Sequence, residues 1–253
     1  MSSTSLAARR AAFRALHDDG CFTLPNPWDA GSAKRLQKLG FRALASTSAG
    51  AAWALGQDDG GLTRDQVLDH LRMLCAAADL PVNADFEAGF ADNPEGVAES
   101  VRLAIETGVA GLSIEDRVDR DLYEPSVAIE RIKAARAAID ASGEDVVLVG
   151  RTEGFLIGRK DLSPTIDRLV AYAEAGADCL YAPGVIDIAS VAQIVKAVAP
   201  RPVNVLMAWP GQSVAPLAEV GVRRVSVGAA LAGAAWAGFD TAAKMLAEEG
   251  KLP

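Results

Sequence analysis

Two spacings of apolar residues alternate along the chain. Short, nearly unbroken apolar runs give way to longer stretches in which apolar positions recur every third or fourth residue. The runs have the signature of strands covered on both faces, and the longer stretches that of amphipathic helices. This pattern predicts strands at Cys21–Leu24, Ala43–Ser46, Val82–Ala84, Gly111–Ile114, Val146–Val149, Cys179–Tyr181, Val203–Leu206 and Arg224–Ser226. Helical spacing fills the intervals, most plainly over Thr63–Ala78, Pro94–Thr107, Ser126–Ala141 and Ser163–Ala175. The opening MSSTSLAARRAAFRALHDDG reads as one more amphipathic helix.

One phrase recurs: a helical stretch, a glycine, then a β-rich run that ends in polar residues. LQKLGFRALAST, AIETGVAGLSIED, YAEAGADCLYAPG and LAEVGVRRVSVG are four copies of it. Gly40, Gly108, Gly176 and Gly221 suit the left-handed position that closes a helix before a strand. Strict β–α alternation with apolar strands implies a parallel sheet covered by helices. Eight such units predict a (β/α)8 TIM-type barrel, an α/β fold, occupying residues 1–253 as a single domain. A doubly wound open sheet is the alternative, but no GxGxxG follows the first strand and no GxxxxGKS or GxxxxGKT occurs. Asp116–Pro125 and Gly154–Leu162 are longer than a barrel requires, and such length serves a lid or binding loop.

Composition narrows the function. With 253 residues, half of them hydrophobic, the chain can bury one large core. The formal net charge is −8 and the basic residues are scattered singly, which excludes nucleic acid as a partner. No apolar stretch is long enough to span a bilayer, and the N-terminus lacks the apolar core of a signal peptide. The expectation is a soluble, cytoplasmic protein with no membrane partner. Cys21, Cys75 and Cys179 form no CxxC pair, which argues against a disulfide framework or a thiolate zinc site. Cys75 and Cys179 lie in apolar runs and read as core.

Barrel chemistry gathers at the C-terminal strand ends. In order these offer Asn26 and Asp29, then Thr47, Ser48 and Asp59, then Asp85 and Glu87, then Glu115 and Asp116, Arg151 and Glu153, and Asn204. Carboxylates crowded together need a compensating charge, and Mg2+ or Mn2+ takes oxygen ligands while keeping water. The plainer alternative is helix capping, which suits Asp29 before AGSAKRLQKL. Asp85 and Glu87 flank Phe86 directly after a strand, with the next helix delayed to about Pro94. Arg151 reads equally as a substrate group or as a structural partner of Glu153 or Glu115. The lysines all fall in helices or loops, which leaves no strand-borne Schiff-base lysine. His17 and His70 lie in helical segments, and Ser48 has no histidine partner, so histidine-based catalysis has no candidate. In SVGAALAG, Ser226 and Gly228 suit either a phosphate at a helix start or close helix–sheet packing.

STSAGAAWALGQDD, VNADFEAGF, GLSIEDR and GRTEGF, joined by NPWDAGSA, YAPG and LAEVGVRRVSVG, run in order over nearly the whole chain. In these motifs the sequence resembles the isocitrate lyase/phosphoenolpyruvate mutase superfamily. The resemblance implies Mg2+ (or Mn2+) and a small 2-oxo carboxylate bound at the barrel mouth. It implies Asp85 as direct metal ligand, with Asp59, Glu87 and Glu115 holding metal-bound waters; Asp58 is the rival to Asp59. Thr47, Ser48 and Ala49 match the segment that holds the substrate carboxylate, with Asp85, Arg151 and Asn204 as further substrate contacts. Arg151 and Glu115 are the expected catalytic residues. A homo-oligomer, dimer or tetramer, is also implied, with AALAGAAWAGFDTAAKMLAEEG as a helix exchanged between subunits.

The lid departs from that pattern. The superfamily's isocitrate-type lyases carry a Lys–Lys/Arg–Cys–Gly–His lid motif, whereas DRVDRDLYEPS holds no lysine, cysteine or histidine. Arg117, Arg120 and Tyr123 are what it offers instead. The expected activity is Mg2+-dependent cleavage or formation of a C–C bond through an enolate, of the lyase or decarboxylase type. The alternatives are a 2-oxo acid binding protein without turnover and phosphonopyruvate-type C–P chemistry.

Overall fold

The computed structural model describes residues 4–253. Its strands are β1 (Phe22–Leu24), β2 (Leu44–Ala45), β3 (Val82–Asp85), β4 (Gly111–Glu115), β5 (Arg117–Val118), β6 (Asp121–Leu122), β7 (Val147–Arg151), β8 (Cys179–Tyr181), β9 (Val203–Leu206) and β10 (Arg224–Ser226). The helices are α1 (Leu6–Ala15), α2 (Ala30–Lys38), α3 (Ser48–Ala54), α4 (Arg64–Ala77), α5 (Pro94–Glu106), α6 (Pro125–Ser142), α7 (Leu162–Glu174), α8 (Ile188–Val198), α9 (Val214–Glu219) and α10 (Ala230–Glu249).

Eight strands form one parallel sheet in the order β1-β10-β9-β8-β7-β4-β3-β2. Its two outer strands are bridged where Ala45 N–H donates to Pro25 O (3.0 Å) and Asn26 Nδ2 donates to Ser46 O (2.7 Å). The result is the expected (β/α)8 barrel. Gly40, Gly108, Gly176 and Gly221 all take positive φ, between 86° and 105°, as the helix-to-strand turn demands. Asp29 caps α2 in a box with Ser32, and Thr63 caps α4 in a box with Gln66, each arrangement contributing ~1 kcal/mol.

Alternate residues of each strand face opposite ways. Leu44, Ala84, Leu112, Ile114, Leu148, Leu180, Val205 and Val225 pack outward under the helices. Phe22, Leu24, Ala45, Val147, Val149, Cys179 and Tyr181 pack inward. Phe13 of α1 joins this inner cluster and is fully buried, so α1 stoppers the lower end of the barrel. A Cβ on Gly111 would lie 2.8 Å from the Phe13 ring, which explains a glycine at that strand position.

Cys75 and Cys179 are buried and Cys21 half-buried, all three as free thiols. Among the described residues no helix is long and apolar enough to cross a membrane. Along the 20 residues of α10 only Ala232 is buried, while Leu231, Trp236, Phe239 and Leu246 are exposed.

Candidate active site at the barrel mouth

Three neighbouring strands each run one or two residues beyond the predicted apolar stretch, so Asp85, Glu115 and Arg151 are terminal strand residues. Parallel register sets Glu115 beside Arg151 and Asp85 beside Ser113. Arg151 is the hub. Its Nη1 donates to Asp85 Oδ1 (2.8 Å), its Nε to Glu153 Oε1 (2.6 Å), and its Nη2 lies 3.3 Å from Glu115 Oε2. Its guanidinium also sits 5.2 Å from the centre of the Tyr181 ring. Ser48 completes the cluster, donating to Asp85 Oδ2 through its backbone N–H (3.1 Å) and its hydroxyl (3.0 Å).

The loop after β3 is bent hard to bring Glu87 in. Glu87 and Phe90 adopt left-handed φ of 46° and 54°, a strained conformation for residues with side chains. Fully buried Phe86 anchors the turn, and its ring packs edge-on against Phe90 at 5.1 Å. From α6, Arg131 donates to Asp92 O (2.9 Å) and to Ala88 O, while its guanidinium stacks 4.2 Å from the Tyr123 ring. Glu115 N–H donates to Glu87 O (3.0 Å), locking this loop to the end of β4.

Behind the site, Asp116 is buried and fully used. Its Oδ1 accepts from Glu153 N–H (2.9 Å), and its Oδ2 accepts from Tyr172 OH (2.6 Å) and Arg168 Nη1 (3.3 Å). Asp116 therefore fixes the backbone that presents Glu153 to Arg151; it is a support rather than a lid residue. Nothing in the sequence pattern marked this role, since its partners come from α7, 56 and 52 residues away.

A cavity of about 410 Å3 opens above the hub, lined by Asp59, Glu87, Glu115, Arg117, Arg151 and Glu153 among others. Carboxylates outnumber cations there, and the titration behaviour follows. Burial pushes Glu87 up to about 7, with Asp85 and Asp59 acting in the same direction. Burial likewise raises Glu115, opposed by Arg151 and reinforced by Glu153 and Asp85. For Arg151, burial alone would lower the pKa, but Glu153, Glu115 and Asp85 raise it well above the ordinary value.

A divalent cation fits this site in one form only. Among the described residues no three His, Cys, Asp or Glu side chains form a ready cage for a metal. Both Asp85 oxygens already accept hydrogen bonds, but Glu87 Oε1 is buried with no partner at all. One direct carboxylate with the remaining acids reached through water is an arrangement Mg2+ accommodates, because it gives up its waters reluctantly.

The phosphoenolpyruvate phosphomutase family model matches residues 13–247. A provisional lyase/mutase from Burkholderia cenocepacia J2315 has a solved structure that is 49% identical, with a TM-score of 0.95 over 98% of this chain and 91% of that one. The 2-methylisocitrate lyase of Escherichia coli K12 is 34% identical over 77% of this chain and 68% of its own length. An oxaloacetate decarboxylase from Rhodopseudomonas palustris BisB5 is 34% identical over 70% of this chain and 63% of its own. The chain belongs to the phosphoenolpyruvate phosphomutase family.

For this family member, the structure brings most of the expected site residues together. Asp85, Glu115 and Arg151 are in direct contact, and Glu87 and Asp59 line the cavity beside them. Asp59, and not Asp58, is the acid on the cavity wall. Thr47, Ser48 and Ala49 line a deeper lobe, although the Thr47 hydroxyl caps α3 by accepting from Gly50 N–H (3.2 Å). Asn204 is a correction. It is the second residue of β9 rather than a strand-end residue, and it does not line the cavity. Its Nδ2 donates to Ser226 Oγ (3.0 Å) and its Oδ1 accepts from Arg224 Nε (2.9 Å), so both polar atoms are engaged within the barrel wall.

The segment after β4 folds into an antiparallel hairpin of β5 and β6, which carries Arg117 and Asp119 to the cavity rim. Tyr123 is engaged with Arg131 and does not line the cavity. Ser226 accepts from Asn204, which favours the packing reading of SVGAALAG.

Proposed function

We propose that this protein is a carbon–carbon lyase acting on a small 2-oxo acid, with decarboxylation of an oxaloacetate-like acid as its simplest reaction. The observation that carries the reading is the convergence of Asp85, Glu115 and Glu153 on Arg151 at three adjacent strand ends, beside the unpartnered Glu87 carboxylate. The names of the relatives, a lyase and a decarboxylase, support the same class.

Mg2+ or Mn2+ would be held by Asp85 directly and by Asp59, Glu87 and Glu115 through water, and when bound it supplies positive charge for developing anionic oxygen. The protein's own contribution is orientation and a fixed field. The bond between the methylene carbon and the second carboxylate breaks, and its electron pair forms an enolate with the negative charge on the oxo oxygen. That carboxylate leaves as CO2 with no base required, and a proton from water at the former methylene carbon completes the 2-oxo product. The Arg151 cation, immobilised by its three carboxylates, stands where that negative charge develops and needs no reorganisation to meet it. A retro-aldol cleavage needs a base as well, and DRVDRDLYEPS carries no lysine, cysteine or histidine to supply one.

Oxaloacetate and related 2-oxo acids, assayed with Mg2+ for pyruvate release, test the reading. Asp85→Ala is expected to cut kcat/KM by about 100-fold or more. Inactivity on every acid, with the variant indistinguishable from wild type, would overturn it. The exposed Trp236, Phe239 and Leu246 of α10 further support association between copies through that helix. Light scattering checks this, and a monomer at micromolar concentration would refute it.

A further inference from the structure

Beneath the mouth the cavity continues into a second lobe of about 180 Å3, and Arg224 contributes to its wall. Arg224 is the first residue of β10, and its side chain crosses the barrel interior. Its Nε donates to Asn204 Oδ1 on β9 (2.9 Å), and its Nη1 reaches Asn83 Oδ1 on β3 (3.2 Å). Only 2% of the residue is exposed.

This arginine has no counter-charge. Among the described residues no carboxylate stands within ion-pairing distance, and Nη2 has no hydrogen-bond partner. Cys179 and Tyr181 are the groups whose ionisation would favour its charge, and burial raises both of their pKa values, which keeps them neutral. A buried cation left with neutral amides is expensive, and burial accordingly lowers the Arg224 pKa. The acids that also line this lobe, Asp59 and Asp85, form no ion pair with Arg224, Asp85 being engaged with Arg151, and Asn26, Ser46, Ser113 and Ser226 are neutral. Arg151, by contrast, already faces three acids.

Ser48, Asp59 and Arg151 line both lobes, so one molecule can occupy the two. Asn83, which touches Arg224, lies two residues below Asp85 on β3. At ~3.3 Å per strand residue the two anchoring levels are roughly 7 Å apart, the reach of a short diacid.

We propose that Arg224 is a specificity-determining residue that receives the second carboxylate of a 2-oxo diacid, with the 2-oxo end held at Asp85 and Arg151. The inference rests on the 2-oxo acid reading of the mouth. A bidentate guanidinium–carboxylate contact in a dry lobe would give strong preference over a methyl group of the same size.

Calorimetry on the full chain with Mg2+ tests this with two unreactive probes, 2-oxoglutarate and 2-oxovalerate, which differ in a terminal carboxylate against a methyl. Wild type is expected to bind the diacid about tenfold tighter or better. Arg224→Met should reduce that ratio to about threefold or less. Asn204→Asp should do the same while keeping the arginine, because it places a carboxylate against Arg224 Nε. It also decides the matter if Arg224→Met fails to fold. Equal binding of both probes by wild type, or a preference that survives both variants, would show Arg224 to be a structural strut and overturn the proposal while leaving the mouth reading intact. Failure of wild type to bind either probe would sink the mouth reading, and this inference with it.

Discussion

Arg151 and Arg224 line one cavity and live under opposite electrostatic regimes. At the mouth, Arg151 is surrounded by Asp85, Glu115 and Glu153, so its charge is matched before any ligand arrives. Lower in the barrel, Arg224 meets only the amide oxygens of Asn83 and Asn204. An arginine at a site is thus not automatically an anion receptor; what matters is whether its charge is already answered. The acid-rich mouth calls for an added cation, and the unpaired Arg224 calls for an anion.

The sharpest way to break this comparison is to remove each arginine. Arg151→Met strands three acids and should cost ~3–5 kcal/mol in urea unfolding, more at pH 8 than at pH 5.5, where Glu115, whose pKa burial raises, can take up a proton. Arg224→Met loses hydrogen bonds to neutral partners and should cost only ~1–2 kcal/mol. Equal losses would mean that the two environments do not differ as described. A smaller effect is expected at the support behind the mouth. Tyr172→Phe removes the hydroxyl that Asp116 accepts and should cost ~1–2 kcal/mol, with a modest fall in activity as Glu153 loosens.

The smallest effect concerns protons. Burial raises Glu87 from 4.5 to about 7, so the folded metal-free protein holds this proton at a pH where the unfolded chain has released it. Its contribution to stability is therefore complete below about 4.5 and is lost as pH rises through about 7. The urea midpoint of metal-free wild type should fall across that window, and Glu87→Gln should flatten the fall. Mg2+ should raise the wild-type midpoint most near pH 8, where Glu87 is ionised, and raise that of Glu87→Gln less. An unchanged slope in the variant would remove Glu87 from the account.

The barrel was legible because strands covered on both faces must be apolar throughout, and each of the eight predicted runs became a strand with ends shifted by at most two residues. The mouth was legible for a related reason: a charged residue ending an apolar run, as in GLSIEDR, has only the rim to occupy. Asn204 was counted with the strand ends although it is the second residue of Val203–Leu206, an inward position in mid-strand. Arg224 went unnoticed beside Arg223. The available clue was Val225, whose outward packing turns both of its neighbours inward. The β5–β6 hairpin left no mark, because its two-residue strands carry no periodicity to read.

The Phe13 stopper has a kinetic corollary. A tube closed at one end has a single doorway, so reactant and both fragments must pass the same rim, under the Arg117–Asp119 hairpin. Departure then becomes a queue: whatever lies nearer the opening leaves first, and the fragment seated deepest is the last to clear and the one that blocks the next turnover.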